Sequence, residues 1–258
     1  MCGIVGYLGD RPAYPMLIQG LRRLEYRGYD SAGVALVHEN GTLDVFKSKG
    51  KVADLERATQ GQDVSGTIGI AHTRWATHGE PNDANAHPHY SQSKTLAIIH
   101  NGIIENYNVL REMLRNHDYT FQSDTDTEVL VQLIEYIKQT NHCDLCTAVQ
   151  LALHEVVGAY AIAVIEKENP DLIVAARKSS PLVIGIRGNE RFLASDATPI
   201  IEHTKEVVYL NDEEVAVIRR NEPLQVVSLD NVVKPLHIKM LEMNISQLEK
   251  GGFPHFML

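Results

Sequence analysis

The second residue of the chain is a cysteine. A protein that begins Met-Cys is normally trimmed of its methionine, which leaves the cysteine with a free α-amine. That amine titrates near about 8 and a free thiol near about 8.5, so the amine can take the thiol proton directly or through a water. One residue would then supply both nucleophile and base. On position alone, a small buried hydrophobe in a first strand is the plainer reading of Cys2. Other residues with chemistry cluster between 73 and 90, where apolar periodicity stops and Arg74, Trp75, His78, His87 and His89 crowd together with Pro81 and Pro88. A long stretch without regular structure inside a compact domain is usually functional or disordered, and this composition favours function. His100-Asn101-Gly102 follows an apolar run and reads as a turn between strand and helix. Asp126, in Thr125-Asp126-Thr127-Glu128, has the plain reading of an acid in the first turn of a helix, where the dipole favours it.

Two metal-like patterns carry little. His72, His78, His87, His89, His100 and Cys2 could be drawn as a zinc cluster, but their spacing lacks the short ligand pairs of such sites, and no metal is expected. Cys143-Asp144-Leu145-Cys146 has no second pair and no adjacent βαβ pattern, so it reads as incidental to a helix start.

The elements that must position these residues are legible in outline. Residues 1–8 form an apolar run suited to a buried strand, and Met16, Leu17, Leu21 and Leu24 share one face of a helix over 13–24. Runs at 32–37 and 42–46 flank Glu39-Asn40-Gly41, a hairpin signal. A short helix is expected at 52–58 and strands at 66–71 and 96–99. Three helical faces follow: Ile103, Tyr107, Leu110 and Leu114; Val129, Leu130, Leu133, Ile134 and Ile137; and Leu145, Ala148, Val149, Ala152 and Val156. After Gly158 the period changes to strands at 160–165, 172–176, 182–186, 192–194, 207–210, 215–218 and 224–227. Strands, helices and strands again predict an α+β fold, and strands apolar on both faces predict stacked sheets covered by helices. Periodicity ends near Leu236.

Composition removes several classes. With 24 Lys+Arg against 33 Asp+Glu, the net charge of −9 does not suit nucleic acid. An apolar fraction of 44% is too high for a disordered chain, and no apolar run reaches the length needed to span a membrane. Three cysteines are too few for a disulfide framework, and with no targeting segment the expected location is the cytoplasm.

Six blocks change the weight given to Cys2. They are Cys2-Gly3-Ile4-Val5-Gly6-Tyr7, residues 24–33, residues 72–79, Asn85-Ala86-His87-Pro88, residues 100–106, and Thr125-Asp126-Thr127-Glu128-Val129. In content and order they resemble the N-terminal glutaminase domains of glutamine–fructose-6-phosphate aminotransferases. The resemblance implies an N-terminal-nucleophile hydrolase fold, a four-layer αββα sandwich. It makes Cys2 the nucleophile that attacks the glutamine carboxamide, with the Asn101 side chain and the Gly102 N–H as oxyanion donors. It gives Arg74 the substrate carboxylate and Asp126 the substrate amine. Thr77 and His78 would belong to the stretch that closes over glutamine, Arg27 and Gly28 to the pocket wall, and Trp75 and Tyr29 to the passage for ammonia. No cofactor is implied. The expected partners are L-glutamine and a sugar-isomerase domain, in a homo-oligomer, with residues 1–240 as the glutaminase domain and 241–258 as the start of a linker. The glutaminase domain of phosphoribosyl-pyrophosphate amidotransferase is a rival, although the blocks around Arg74 and Asn101 fit it less well. A non-catalytic sensing module is a second rival, which an intact Cys2, Arg74, Asn101 and Asp126 argue against.

Overall fold

The computed structural model describes residues 2–75 and 79–242. In chain order the first half contains β1 (Gly3–Leu8), α1 (Ala13–Leu24), β2 (Ser31–Val37), β3 (Leu43–Lys49), α2 (Val52–Ala58), β4 (Ile68–Arg74), β5 (His89–Tyr90) and β6 (Leu96–Ile104). Three helices follow: α3 (Tyr107–Arg115), α4 (Asp126–Asn141) and α5 (Leu145–Glu155). The remainder is β7 (Gly158–Glu166), β8 (Asn169–Lys178), β9 (Val183–Arg187), β10 (Glu190–Ala194), β11 (Glu206–Tyr209), β12 (Glu214–Arg219), β13 (Gln225–Ser228) and β14 (Ile238–Met240).

The strands make two antiparallel sheets, ordered β14-β11-β9-β10-β1-β4-β2-β3 and β13-β12-β8-β7-β6-β5. Side chains alternate across a strand, so a doubly apolar strand can feed two apolar layers at once. In β1, Val5 and Tyr7 pack with Leu17, Leu21 and Leu24 of α1 and Leu55 of α2. Ile4 and Leu8 instead join Ile70, Ile99, Ala161 and Ala163 in the layer between the sheets. On the far side, Ile98, Ile162 and Val164 pack against Leu110, Leu133, Ile134 and Val149 of the three later helices. Helices, sheet, sheet and helices make the four layers that the α+β reading and the family resemblance lead one to expect. Among the described residues no helix is long and apolar enough to cross a membrane.

Several local expectations need correction. His100-Asn101-Gly102 is not a turn. β6 runs through it to Ile104, and Asn101 and Gly102 pair with Ala161 and Tyr160 of β7. The apolar pattern stops there because the strand emerges from the core while its hydrogen-bond ladder continues. Gly102 makes this possible with φ of 140°, since a Cβ on it would lie 2.0 Å from the Ala159 carbonyl. Ile103 therefore belongs to β6, is 56% exposed, and is not on the face of α3. β4 likewise continues past the expected 66–71 to carry Thr73 and Arg74. β14 lies where periodicity is lost; it is an exposed edge strand on β11 and so has no buried face to mark it.

The expected capping box is half made. Thr125 accepts from the Glu128 N–H at 3.2 Å, but the Glu128 carboxylate takes the N–H groups of Gln122 and Ser123 instead of that of Thr125. Asp144, inside the Cys-x-x-Cys stretch, caps α5 by accepting from the Thr147 N–H at 2.8 Å, and Cys143 and Cys146 are free thiols. Of the expected linker 241–258, residues 243–258 lie outside the described residues.

Ile99 is fully buried between the sheets, two residues before Asn101. Ile99→Ala is expected to cost about 2–5 kcal/mol, as deletion of a core aliphatic side chain usually does. Urea unfolding would check it; a change within error of zero would mean that the inter-sheet layer does not hold β6.

Candidate active site

The site lies where the inter-sheet layer ends. β1 begins at Gly3, so Cys2 sits at the lip of the first sheet, and pairing of Gly3 with Thr73 brings Trp75 beside it. The Trp75 N–H donates to Cys2 Sγ at 3.2 Å. β6 arrives from the second sheet and presents Asn101, whose Nδ2 donates to the Cys2 carbonyl at 3.2 Å. Arg27 Nη1 donates to the same carbonyl at 3.3 Å and to Ser195 Oγ at 3.3 Å, while its Nη2 pairs with Asp196. Ser195 Oγ in turn accepts from the Ile4 N–H at 3.1 Å. The backbone around Cys2 is thus held from both sheets.

Burial pushes the Cys2 thiol up from its ordinary value, against the opposing pull of the Trp75 N–H and the Arg74 cation. A thiol raised in this way stays protonated near neutrality, so its attack needs a base.

Two openings meet at the thiol. One, of about 270 Å³, is lined by Cys2, Arg27, Trp75, Asn101, Ile103 and Pro181. The other is narrow, about 30 Å³, and brings together Cys2, Arg74, Gly102, His100 and Asp126. Arg74 ends β4, is 5% exposed, and donates from Nη2 to the Gly79 carbonyl at 3.4 Å. Asp126 opens α4, and its carboxylate accepts from the Ile104 N–H at 2.8 Å. A buried cation and a fixed carboxylate on one cavity with a thiol complement the two charges of a free amino acid.

Gly28 has φ of 76°, and a Cβ on it would come 2.8 Å from the Trp75 ring, so the indole lies against the bare α-carbon. Tyr29 stands apart from both openings: its hydroxyl donates to Glu25 and accepts from the Val52 N–H. Thr77 and His78 lie outside the described residues. Reading of the residues missed Ser195 and Asp196, for which the polar break after the apolar run at 192–194 was a usable signal, and Pro181, for which there was none.

Histidines surround the site. His72, His87, His89 and His100 are all buried, and the His72–His87 and His87–His89 ring centroids are 4.4 and 4.9 Å apart. Burial pushes His72 down to about 3 and holds the other three below the usual histidine value; the Arg74 cation adds to it for His87 and His89, and Lys47 for His89. His100 lies against Thr127 Oγ1 at 3.0 Å and 4.0 Å from the Asp126 carboxylate, which opposes its shift. Among the described residues no group of three or more His, Cys, Asp or Glu is arranged to hold a metal ion.

The chain and its fold have known counterparts. Residues 55–242 match the glutamine amidotransferase domain family. The chain belongs to that family. The whole of this glutamine amidotransferase domain aligns with the glutamine–fructose-6-phosphate aminotransferases (isomerizing) of Bacteroides thetaiotaomicron, at 66% identity over 258 residues, and Chlorobaculum tepidum, at 52% over 265. It spans 42% of the length of each. Among solved structures, the glutamine phosphoribosylpyrophosphate amidotransferase of B. subtilis, bound to ADP and GMP, superposes with a TM-score of 0.73 at 28% identity. That match covers 88% of this chain and 49% of the other. A second solved structure, an allosteric regulatory enzyme of purine biosynthesis, gives 0.75 at 28% identity with the same coverage. The fold is that of the N-terminal-nucleophile hydrolases.

Two measurements test the site's construction. Below about pH 6.5 the unfolded chain protonates these histidines while the folded chain keeps them neutral. Their stabilisation is therefore complete above about pH 6.5 and is lost as pH falls toward their folded values, by up to about 1.4 kcal/mol per pH unit for each. Melting temperature should fall steadily from pH 7 to pH 5; an unchanged value would contradict neutral buried imidazoles. Separately, Gly28→Ala should displace Trp75, the only tryptophan, and shift the intrinsic emission spectrum. An unaltered spectrum would show that the indole does not rest on residue 28.

Proposed function

We propose that this domain hydrolyses the side-chain amide of L-glutamine to glutamate and ammonia through a glutamyl thioester on Cys2. The observation that carries the reading is that thiol, Arg74 and Asp126 open on one cavity. Arg74 holds the α-carboxylate and Asp126 the α-ammonium, so the carboxamide of a free glutamine reaches Sγ. The raised thiol gives its proton to the α-amine of a trimmed Cys2. Sulfur then bonds to the carboxamide carbon, and negative charge develops on the carboxamide oxygen. Two donors suit that charge: the Gly102 N–H and the hydrogen of Asn101 Nδ2 not used by the Cys2 carbonyl. Collapse breaks the C–N bond, the nitrogen takes the proton from the amine, and ammonia leaves. A water then cleaves the thioester to give glutamate and the free thiol. No cofactor takes part.

In the longer protein the ammonia would convert fructose 6-phosphate to glucosamine 6-phosphate. The relatives at 66% and 52% identity support this, since both are named for that aminotransferase activity. Residues 1–240 would be the glutaminase domain and 241–258 the start of a linker to a sugar-isomerase domain, in a cytoplasmic homo-oligomer. Trp75, on both openings, would border the route of ammonia; Tyr29 would act there only by holding Glu25. Thr77 and His78 would close over the bound substrate.

Cys2→Ala should abolish glutamate release from glutamine with the melting temperature little changed; substantial residual turnover would sink the nucleophile. Arg74→Ala and Asp126→Ala should each raise KM about 10–100-fold, because a hydrogen bond to a charged group is worth about 1.5–3 kcal/mol. Intact mass should show Met1 removed, and its retention would take the proposed base away.

A further inference from the structure

His72 lies in the middle of β4, between Ile4 of β1 and Gly33 of β2, and is fully buried. It shares a face with Ile70, which packs toward the second sheet. At the end of that layer its imidazole crosses between the sheets, with Nε2 2.8 Å from Asn101 Oδ1.

The hydrogen-bond logic of this contact is closed. The Cys2 carbonyl can only accept, so the Asn101 atom facing it at 3.2 Å is the NH2 group. The other end of the amide, facing His72, is therefore the oxygen. An oxygen needs a donor, so His72 carries its proton on Nε2. Nδ1, buried without a hydrogen-bond partner, is the bare nitrogen of a neutral ring. We infer that His72 is a positioning residue for the hydrolysis: its Nε2–H locks the Asn101 amide so that one Nδ2 hydrogen holds the Cys2 carbonyl and the other faces the developing oxyanion. The inference rests on the glutamine reading of the site.

Without this donor, the part-buried Oδ1 loses its partner and the amide can turn over. A flipped amide would place a carbonyl oxygen against both the Cys2 carbonyl and the incoming charge. The groups around the ring favour the neutral form that the lock needs. Burial is the largest cause disfavouring a second proton, and His100 and Arg74 add to it; the Asn101 oxygen and the His100 backbone oppose it without overcoming burial, and the His87 ring lies tilted 4.4 Å away. The lock should hold across the working pH range. Because Arg74 and Asp126 grip the two ends of the amino acid elsewhere, the effect belongs to the reacting step and not to capture of substrate.

The test compares wild-type protein with His72→Leu and His72→Gln, since glutamine carries an N–H donor within reach of the Nε2 position. His72→Leu should lower kcat for glutamine about 100-fold, as loss of an oxyanion donor does, with KM changed by no more than about threefold. Alkylation of Cys2 by iodoacetamide should keep its rate. His72→Gln should recover most of kcat. Turnover by wild type together with a His72→Leu kcat within about threefold of it would overturn the role alone. So would a His72→Gln variant as slow as His72→Leu, or a loss confined to KM. A wild type that releases no glutamate would overturn the glutamine reading and this role with it. Imidazole 15N shifts of the unmodified protein provide a measurement that no folding defect can obscure. They should report the Nε2–H tautomer of His72 without titration between about pH 5 and 9; an Nδ1–H tautomer or a titrating ring would refute the lock.

Discussion

Face-to-face packing of the two sheets is the constraint from which the site follows. Stacked sheets stand about 10 Å apart, filled by interleaved side chains. Here that filling is Ile4, Ile70, Ile99 and the alanines of β7, and it stops short of the strand ends. Beyond it the strands continue as hydrogen-bonded backbone with polar side chains turned into the gap. Cys2 stands at the lip of one sheet, just before β1, and Asn101 lies in the other. Neither sheet alone could bring a thiol and a side-chain amide to one point.

The same gap dictates the electrostatics. A buried slot between sheets cannot solvate charge, so a residue there must be neutral or paired. The four histidines remain neutral. Arg27 is tied to Asp196, and Arg74 and Asp126 are anchored to backbone groups near the rim. The charges that remain are those that complement an amino acid zwitterion, and the thiol itself rests uncharged.

The general plan was readable in the chain. Doubly apolar runs signalled stacked sheets, and α1 and α2 fall on the expected residues because their apolar faces and flanking breaks are local features. The site was readable only partly, and for a physical reason. Cys2 and Asn101 meet across 99 positions of sequence, and nothing in periodicity records that meeting. Cys2, Arg74, Asn101 and Asp126 were singled out by their likeness to family blocks, and for Cys2, Asn101 and Asp126 a plainer local reading was at hand. Asn101-Gly102 misled because a strand leaving its core loses the apolar pattern while keeping its ladder. β14 left no trace because an exposed edge strand buries nothing. His72 passed as one histidine among many, since its importance lies in which atom of a neighbour it faces.

The raised thiol of Cys2 also bears on durability. Peroxide oxidises thiolates far faster than thiols, and the sulfinic and sulfonic products are not returned to service. A nucleophile exposed to solvent as a standing thiolate would be consumed between turnovers. Here burial under the Trp75 backbone holds the sulfur toward its protonated form. The chemistry that makes the resting residue sluggish protects it from ageing.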